Sequence, residues 1–253
     1  MLKIVAIHSF RGGTGKSNVT ANIATILASW GQRVGIIDTD LQSPGIHILF
    51  SLDQDKLSYT LNDYLWKDCE INDAAYDVTP AQLASALNDG KIFLAPGSFR
   101  AEDITRIVNE GYDMERLSGG IHDLGDRLNL DYVLIDTHPG LNQETLLAMA
   151  LADLLVFILR PDSQDFQGTA VMIDVARQLG IPDILTVVNR VLPALDISQV
   201  KALVEKTFQV PVAGILPNCD DLMLLASRGL FVLNHPKHPF TEELEAIACR
   251  IKA

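Results

Sequence analysis

A chain of 253 residues, 48% hydrophobic and 21% charged, has the length and balance of a folded protein with one substantial core. A disordered or low-complexity polymer is excluded on those grounds. The formal net charge is −12 and no run of Lys or Arg is present, which argues against a surface built to grip nucleic acid.

The chain runs straight into a strand-like segment with no cleavable-leader pattern, so the expected location is cytoplasmic. The longest apolar runs, such as Leu154 to Leu159, fall far short of the roughly 20 residues that cross a bilayer. Cys69, Cys219 and Cys249 are widely separated; the spacing offers no zinc or cluster motif and reads as three reduced thiols.

Short apolar runs alternate with longer helical stretches. Strands are predicted at Lys3–Ser9, Arg33–Asp38, Lys91–Ala95, Tyr132–Asp136, Leu154–Arg160, Ile184–Asn189 and Val212–Leu216. Several are apolar almost throughout, as parallel strands covered on both faces are. Helical spacing of apolar residues predicts helices at Ser17–Trp30, Gln143–Ala150, Phe166–Leu179 and Ser198–Phe208. The alternation predicts an α/β fold: a doubly wound, mainly parallel sheet with helices on both faces. No linker divides the chain, so residues 1–253 are expected to form a single domain. An acidic helical insertion is expected at about residues 53–90. From Asp53 to Asp77 it carries seven Asp or Glu against two Lys, and reads as a solvated face whose aromatic residues anchor it to the core.

The strongest chemical signal is Gly12-Gly13-Thr14-Gly15-Lys16-Ser17, after a strand and before a helix. Glycines let backbone N–H groups turn toward phosphate oxygens, and the helix N-terminus adds its positive end. Lys16 can reach the β and γ phosphates and Ser17 can offer its hydroxyl to Mg²⁺. The expected nucleotide contacts are Gly12, Gly13, Thr14, Gly15, Lys16, Ser17 and Asn18.

Arg11 precedes the glycines, and the resulting pattern resembles the deviant Walker A motif of the MinD/ParA family of P-loop ATPases. The resemblance runs from about Leu2 to Ile251 and implies the P-loop fold, ATP and Mg²⁺. In that family a second basic residue, normally Lys, starts the motif and reaches across a dimer to the partner's phosphates; here it is Arg11. By this resemblance Arg11, Lys16 and Asp40 are the catalytic candidates. Arg11 acting only on its own phosphates, or pairing with a surface carboxylate, is the alternative. Arg suits either role, since its fork binds phosphate and carboxylate in two-point fashion.

Asp38-Thr39-Asp40-Leu41-Gln42-Ser43-Pro44-Gly45 follows the second strand and resembles the family's first switch. The resemblance places Asp38 near Mg²⁺ or its waters and gives Asp40 the task of orienting the attacking water. Asp136, at the end of an apolar strand, fits a carboxylate that holds Mg²⁺, so Ser17, Asp38 and Asp136 form the expected metal set. In the loop after it, Gly140 is expected to offer its N–H to the γ phosphate. His138 stands where the family has Pro, and reads as a tolerated loop residue without a catalytic part. Asn189-Arg190 resembles the family's adenine contact, and Leu216-Pro217-Asn218 the loop over the base; Asn189, Arg190 and Pro217 are the expected base-end contacts.

The C-terminal segment from Phe240 carries Phe240, Leu244, Ile247 and Ile251 as an apolar stripe, with Glu242, Glu243 and Glu245 against Arg250 and Lys252 on the polar face. The basic, lipid-binding helix that ends MinD proteins has the opposite charge, so a docked domain helix is expected and direct membrane binding is not. The expectation is an ATP-driven homodimer that hydrolyses ATP slowly and positions or regulates an unidentified activator or cargo protein. A non-hydrolysing scaffold or a P-loop biosynthetic ligase is the alternative.

Overall fold

The computed structural model describes residues 1–84 and 89–253. In chain order the elements are β1 Lys3–His8, α1 Lys16–Ser29, β2 Arg33–Asp38, α2 Ile46–Leu49, α3 Leu61–Leu65, β3 Tyr76–Asp77, α4 Ala81–Ala84, β4 Lys91–Ala95, α5 Ala101–Glu110, α6 Met114–Arg127, β5 Tyr132–Asp136, α7 Gln143–Leu151, β6 Leu154–Leu159, α8 Ser163–Gln178, β7 Asp183–Val191, α9 Ile197–Phe208, β8 Val212–Pro217, α10 Asp220–Leu225, α11 Phe231–Asn234 and α12 Pro239–Lys252. The eight strands form one sheet in the order β3-β4-β2-β5-β1-β6-β7-β8. All pairings are parallel except β3 with β4.

The apolar strands are buried on both faces because each strand divides its residues, by the period of two, between two cores. Ile4 and Ala6 of β1 join one core and Val5 and Ile7 the other; Val133 and Ile135 of β5 separate in the same way from Tyr132 and Leu134. The first core is closed by α6, α7, α8 and α9, through residues such as Ile121, Met149, Met172 and Phe208. The second is closed by α1 and α12, through Ile23, Leu27, Leu244 and Ile247. The predicted doubly wound sheet is the observed one.

Two features differ from expectation for identifiable reasons. β7 runs past Asn189 to Val191, because an irregularity in its pairing with β8 lets Arg190 take a left-handed φ of 58°. The acidic insertion is not wholly helical: it contributes 3₁₀ turns at Gln54–Lys56 and Ile71–Ala74, helix α3, and the antiparallel edge strand β3. Two residues are too few to show an alternating pattern. The last part of the insertion, residues 85–88, lies outside the described residues. Among the described residues of the insertion Tyr64 is an aromatic anchor: its hydroxyl donates to the Arg116 carbonyl at 2.8 Å while the Arg116 guanidinium lies 4.2 Å from the Tyr64 ring.

No helix of the described residues is long and apolar enough to cross a membrane. The C-terminal stripe is docked, as expected: Phe240, Leu244, Ile247 and Ile251 are all buried. Gly214 of β8 allows α12 this close, since a Cβ there would lie 2.4 Å from Ile247 Cγ1. Gly214→Ala should therefore cost about 1–3 kcal/mol as an overpacked contact. Gly119→Ala, inside α6 with nothing within 4 Å of its Cβ, should add roughly 0.5–1 kcal/mol. Urea unfolding of the two variants measures both, and a neutral Gly214→Ala would show that α12 is loosely seated.

Candidate nucleotide site

Parallel strands end together, so β1, β2, β5 and β7 bring their carboxyl ends to one edge of the sheet, where α/β folds bind ligands. The loop from β1 to α1 turns through Gly13 at φ 77° and Gly15 at φ 93°, values that L side chains resist. A Cβ on Gly15 would also lie 2.5 Å from the Asn189 amide nitrogen. This loop, with Asp40, Pro139 and Arg190, lines a cleft of about 250 Å³. A second cleft of about 280 Å³ shares Gly15, Asn18 and Arg190 with it and continues between α1 and β8 past Asn189 and Pro217. The two form one groove, polar at the glycine end and floored by Leu222, Met223 and Phe240 at the other. Leu222 and Met223 carry no motif and nothing in the sequence marked them, and Phe240 was marked only as part of the C-terminal apolar stripe.

Lys16, the first residue of α1, is buried, and its Nζ donates to Asp136 Oδ1 at 2.7 Å. Asp136 and Asp38 are register partners on adjacent strands. The Asp136 Oδ2 atom is buried with no hydrogen-bond partner. Burial, and then the nearby Asp136 carboxylate, push the Asp38 carboxyl well above the usual carboxylate range, against the pull of Lys16. Asp38 accepts the N–H groups of Asp40 and Gly45, each at 3.2 Å, and so pins the loop that follows β2.

An orphaned acceptor between two crowded carboxylates is a place that gains from a small hard cation. Ser17, Asp38 and Asp136 offer oxygen only, the donor type that Mg²⁺ takes. No group of three or more His, Cys, Asp or Glu able to hold a metal exists among the described residues. This set thus fits an ion that receives its remaining ligands from phosphate and water.

The structure lines the groove with Gly12 to Asn18, Asp40, Asn189, Arg190 and Pro217, while the side chains of Asn189 and Arg11 and the N–H of Gly140 are bonded within the protein. Asn189 Nδ2 donates to the Thr14 carbonyl at 2.7 Å and its Oδ1 accepts the Arg190 N–H at 2.8 Å; its amide braces the glycine loop. The Gly140 N–H donates to the Ser9 carbonyl at 3.0 Å and does not point free toward a phosphate. Arg11 is outside the phosphate cleft. Its Nε donates to Asp165 Oδ1 at 2.5 Å and its second terminal nitrogen to Asp162 Oδ2 at 2.9 Å, with a further bond to Gln164. These groups form the N-terminus of α8, where Asp162 also accepts the N–H groups of Gln164 and Asp165. In this structure Arg11 thus pairs with two carboxylates, the exposed Asp162 and the buried Asp165.

His138, read from the sequence as a passive loop residue, contacts the cleft's own carboxylate: its Nδ1 lies 2.7 Å from Asp40 Oδ1. That hydrogen bond raises the His138 pKa above the ordinary imidazole value, against the effect of burial. No local pattern joins residues 40 and 138; only the pairing of β2 with β5 does.

The AAA domain family model matches residues 2–181 of this chain. The chain belongs to the MinD/ParA family of P-loop ATPases. It is 29% identical over 248 residues to an uncharacterized ATP-binding protein of Methanocaldococcus jannaschii, covering 98% of this chain and 86% of the relative. It is 25% identical to the septum site-determining protein MinD of a Synechocystis species, covering 90% and 81%. The septum site-determining protein MinD of Pyrococcus horikoshii, solved in complex with Mg-ADP, superimposes with a TM-score of 0.81 at 21% identity, covering 99% of this chain and 96% of that one. The members of this family are ATPases.

His8 ends β1 beneath these loops. It is fully buried and its Nδ1 lies 2.6 Å from Thr137 Oγ1. Burial, then the charge of Lys16, lower its pKa from 6.5 to about 3. The unfolded chain takes up this proton near 6.5 and the folded chain resists it, so stability falls as pH drops from 6.5 toward 3. Between pH 7 and 5 His8 should account for about 2 kcal/mol of lost stability. The difference in unfolding free energy between the natural protein and His8→Gln, measured at both pH values, should shrink by that amount at pH 5; an unchanged difference would place the proton elsewhere.

Proposed function

We propose that the protein is a cytoplasmic, slowly ATP-hydrolysing switch that forms a homodimer with Mg-ATP and thereby positions or regulates a partner protein. The observation that carries this reading is a single cleft holding the glycine loop, the buried Lys16 and the Asp40 carboxylate, with Asp38 and Asp136 beneath it. The M. jannaschii relative is described as ATP-binding and the Synechocystis relative as septum site-determining; an ATP-dependent regulator in division or positioning agrees with both.

In this reading phosphate enters under the loop and competes with Asp136 for the Lys16 ammonium. The released Asp136, with Asp38 and Ser17, is then placed to hold Mg²⁺, which neutralises charge on the β and γ phosphates when bound. Asp40 accepts a hydrogen bond from water and orients it toward the γ phosphorus. Water adds to phosphorus, the bond to the β–γ bridging oxygen breaks, and ADP and phosphate leave. Arg11 has to exchange its α8 carboxylates for phosphate oxygens of the partner copy before it can act in the dimer. Arg190 is the cation left at the junction of the phosphate and base clefts.

Two measurements test the reading. Lys16→Ala should weaken ATP binding about 100-fold or more, since a buried charge contact is lost; titration calorimetry reads this, and an unchanged affinity would remove the phosphate cleft from the reading. Light scattering should give twice the monomer mass with Mg-ATP and monomer mass with Mg-ADP, while Arg11→Ala stays monomeric with both. A mass that never responds to nucleotide would remove the ATP-driven dimer, and an Arg11→Ala dimer would confine Arg11 to its own subunit.

A further inference from the structure

We propose that His138 is the positioning residue for Asp40: its Nδ1–H holds the carboxylate at the angle from which Asp40 meets the attacking water. This deepens, and rests on, the proposed water-orienting role of Asp40.

The geometry has three parts. First, the hydrogen bond is short, 2.7 Å from His138 Nδ1 to Asp40 Oδ1. A carboxylate only accepts, so Nδ1 carries the hydrogen. Second, the two side chains are 22% and 14% exposed, so bulk water has restricted access to compete for the bond. Third, Asp40 lines the phosphate cleft together with Lys16 and Pro139, while His138 is absent from its lining. The imidazole therefore grips the carboxylate from behind and leaves its cleft side free.

The backbone around both residues is already fixed. The Thr39 N–H donates to the Asp136 carbonyl at 3.0 Å, the Asp40 N–H to Asp38, and the Gly140 N–H to Ser9. What the backbone leaves undetermined is the rotation of the Asp40 side chain, two torsions that a lone carboxylate in a loop samples freely. His138 removes that freedom by tying the loop after β2 to the loop after β5. Preorganised orientation of this kind acts on the chemical step and leaves ground-state binding almost unchanged.

The test is Mg-ATP hydrolysis and ATP affinity for the natural protein, His138→Ala, His138→Asn, His138→Gln, Asp40→Ala and the double variant Asp40→Ala with His138→Ala. An Asn amide nitrogen can take the place of Nδ1, whereas that of Gln extends to the place of Nε2. His138→Ala should lower kcat by about 10- to 100-fold, the scale of a misplaced catalytic group, with ATP affinity held within about twofold, which also shows that the variant is folded. His138→Asn should regain most of the rate and His138→Gln should not. The double variant should hydrolyse no more slowly than Asp40→Ala alone. An unchanged or faster His138→Ala, a loss confined to KM, failure of Asn to outperform Gln, or a loss that adds to that of Asp40→Ala would overturn the positioning role. If Asp40→Ala itself hydrolyses ATP at the natural rate, the water-orienting reading of Asp40 falls, and this proposal falls with it. Abolished hydrolysis in Asp40→Ala beside an intact His138→Ala overturns the proposal alone.

Discussion

The Lys16 ammonium lies 2.7 Å from Asp136 at the carboxyl end of a fully buried strand, and the arrangement of the surrounding loops follows from that one burial. An ammonium or carboxylate taken out of water costs several kcal/mol unless it is paired and hydrogen-bonded. One lysine here serves two carboxylates, because strand register sets Asp38 beside Asp136. The site carries more negative charge than its protein cation offsets. Burial, and then the charge of Asp136, raise the Asp38 carboxyl, and Asp136 Oδ2 is left without a hydrogen-bond partner. A folded chain tolerates such a deficit where a ligand can supply the missing charge.

The same carboxylates organise the loops on either side. Asp38 cannot be neutralised by lysine alone, so it draws on backbone N–H groups from Asp40 and Gly45 and thereby shapes the segment after β2. Thr39 reaches across to the Asp136 carbonyl through both its N–H and its hydroxyl. Gly140 closes the loop after β5 onto Ser9 at the start of the phosphate loop. Charge in the centre, backbone bonds around it and the His138–Asp40 contact form one connected set of interactions.

The parts legible in the sequence are those that depend on neighbours along the chain. The apolar runs at Tyr132–Asp136 and Leu154–Leu159 read as doubly buried strands because the period of two applies whatever lies opposite. The glycine loop was legible because strand, loop and helix are contiguous. What escaped depends on register between distant strands. His138 meets Asp40 across 98 residues, and Asn189 braces Thr14 across 175. Edge strand β3 escaped for a different reason: with two residues it has no pattern, and its pairing with β4 defines it. The docking of the C-terminal helix was legible in its apolar stripe, since Phe240, Leu244, Ile247 and Ile251 recur at helical spacing and all four are buried.

Arg11 shows why an arginine at the start of this loop has consequences that a lysine would not. The N-terminus of α8 repels a cation through its exposed N–H groups. Asp162 answers this by capping the helix, and Asp165 adds a buried carboxylate beside it. A guanidinium can bond to both at once, with Nε on Asp165 and a terminal nitrogen on Asp162, where an ammonium has only a point charge to offer. Arg160 shares the same two carboxylates, at 3.4 Å from Asp162 and 3.2 Å from Asp165. Withdrawal of Arg11 therefore does not leave Asp162 and Asp165 uncompensated, because Arg160 remains in place to hold them. A second cation on the same carboxylates makes the Arg11 contact replaceable, and that is the condition a residue must meet if it is to exchange an intramolecular carboxylate for a phosphate.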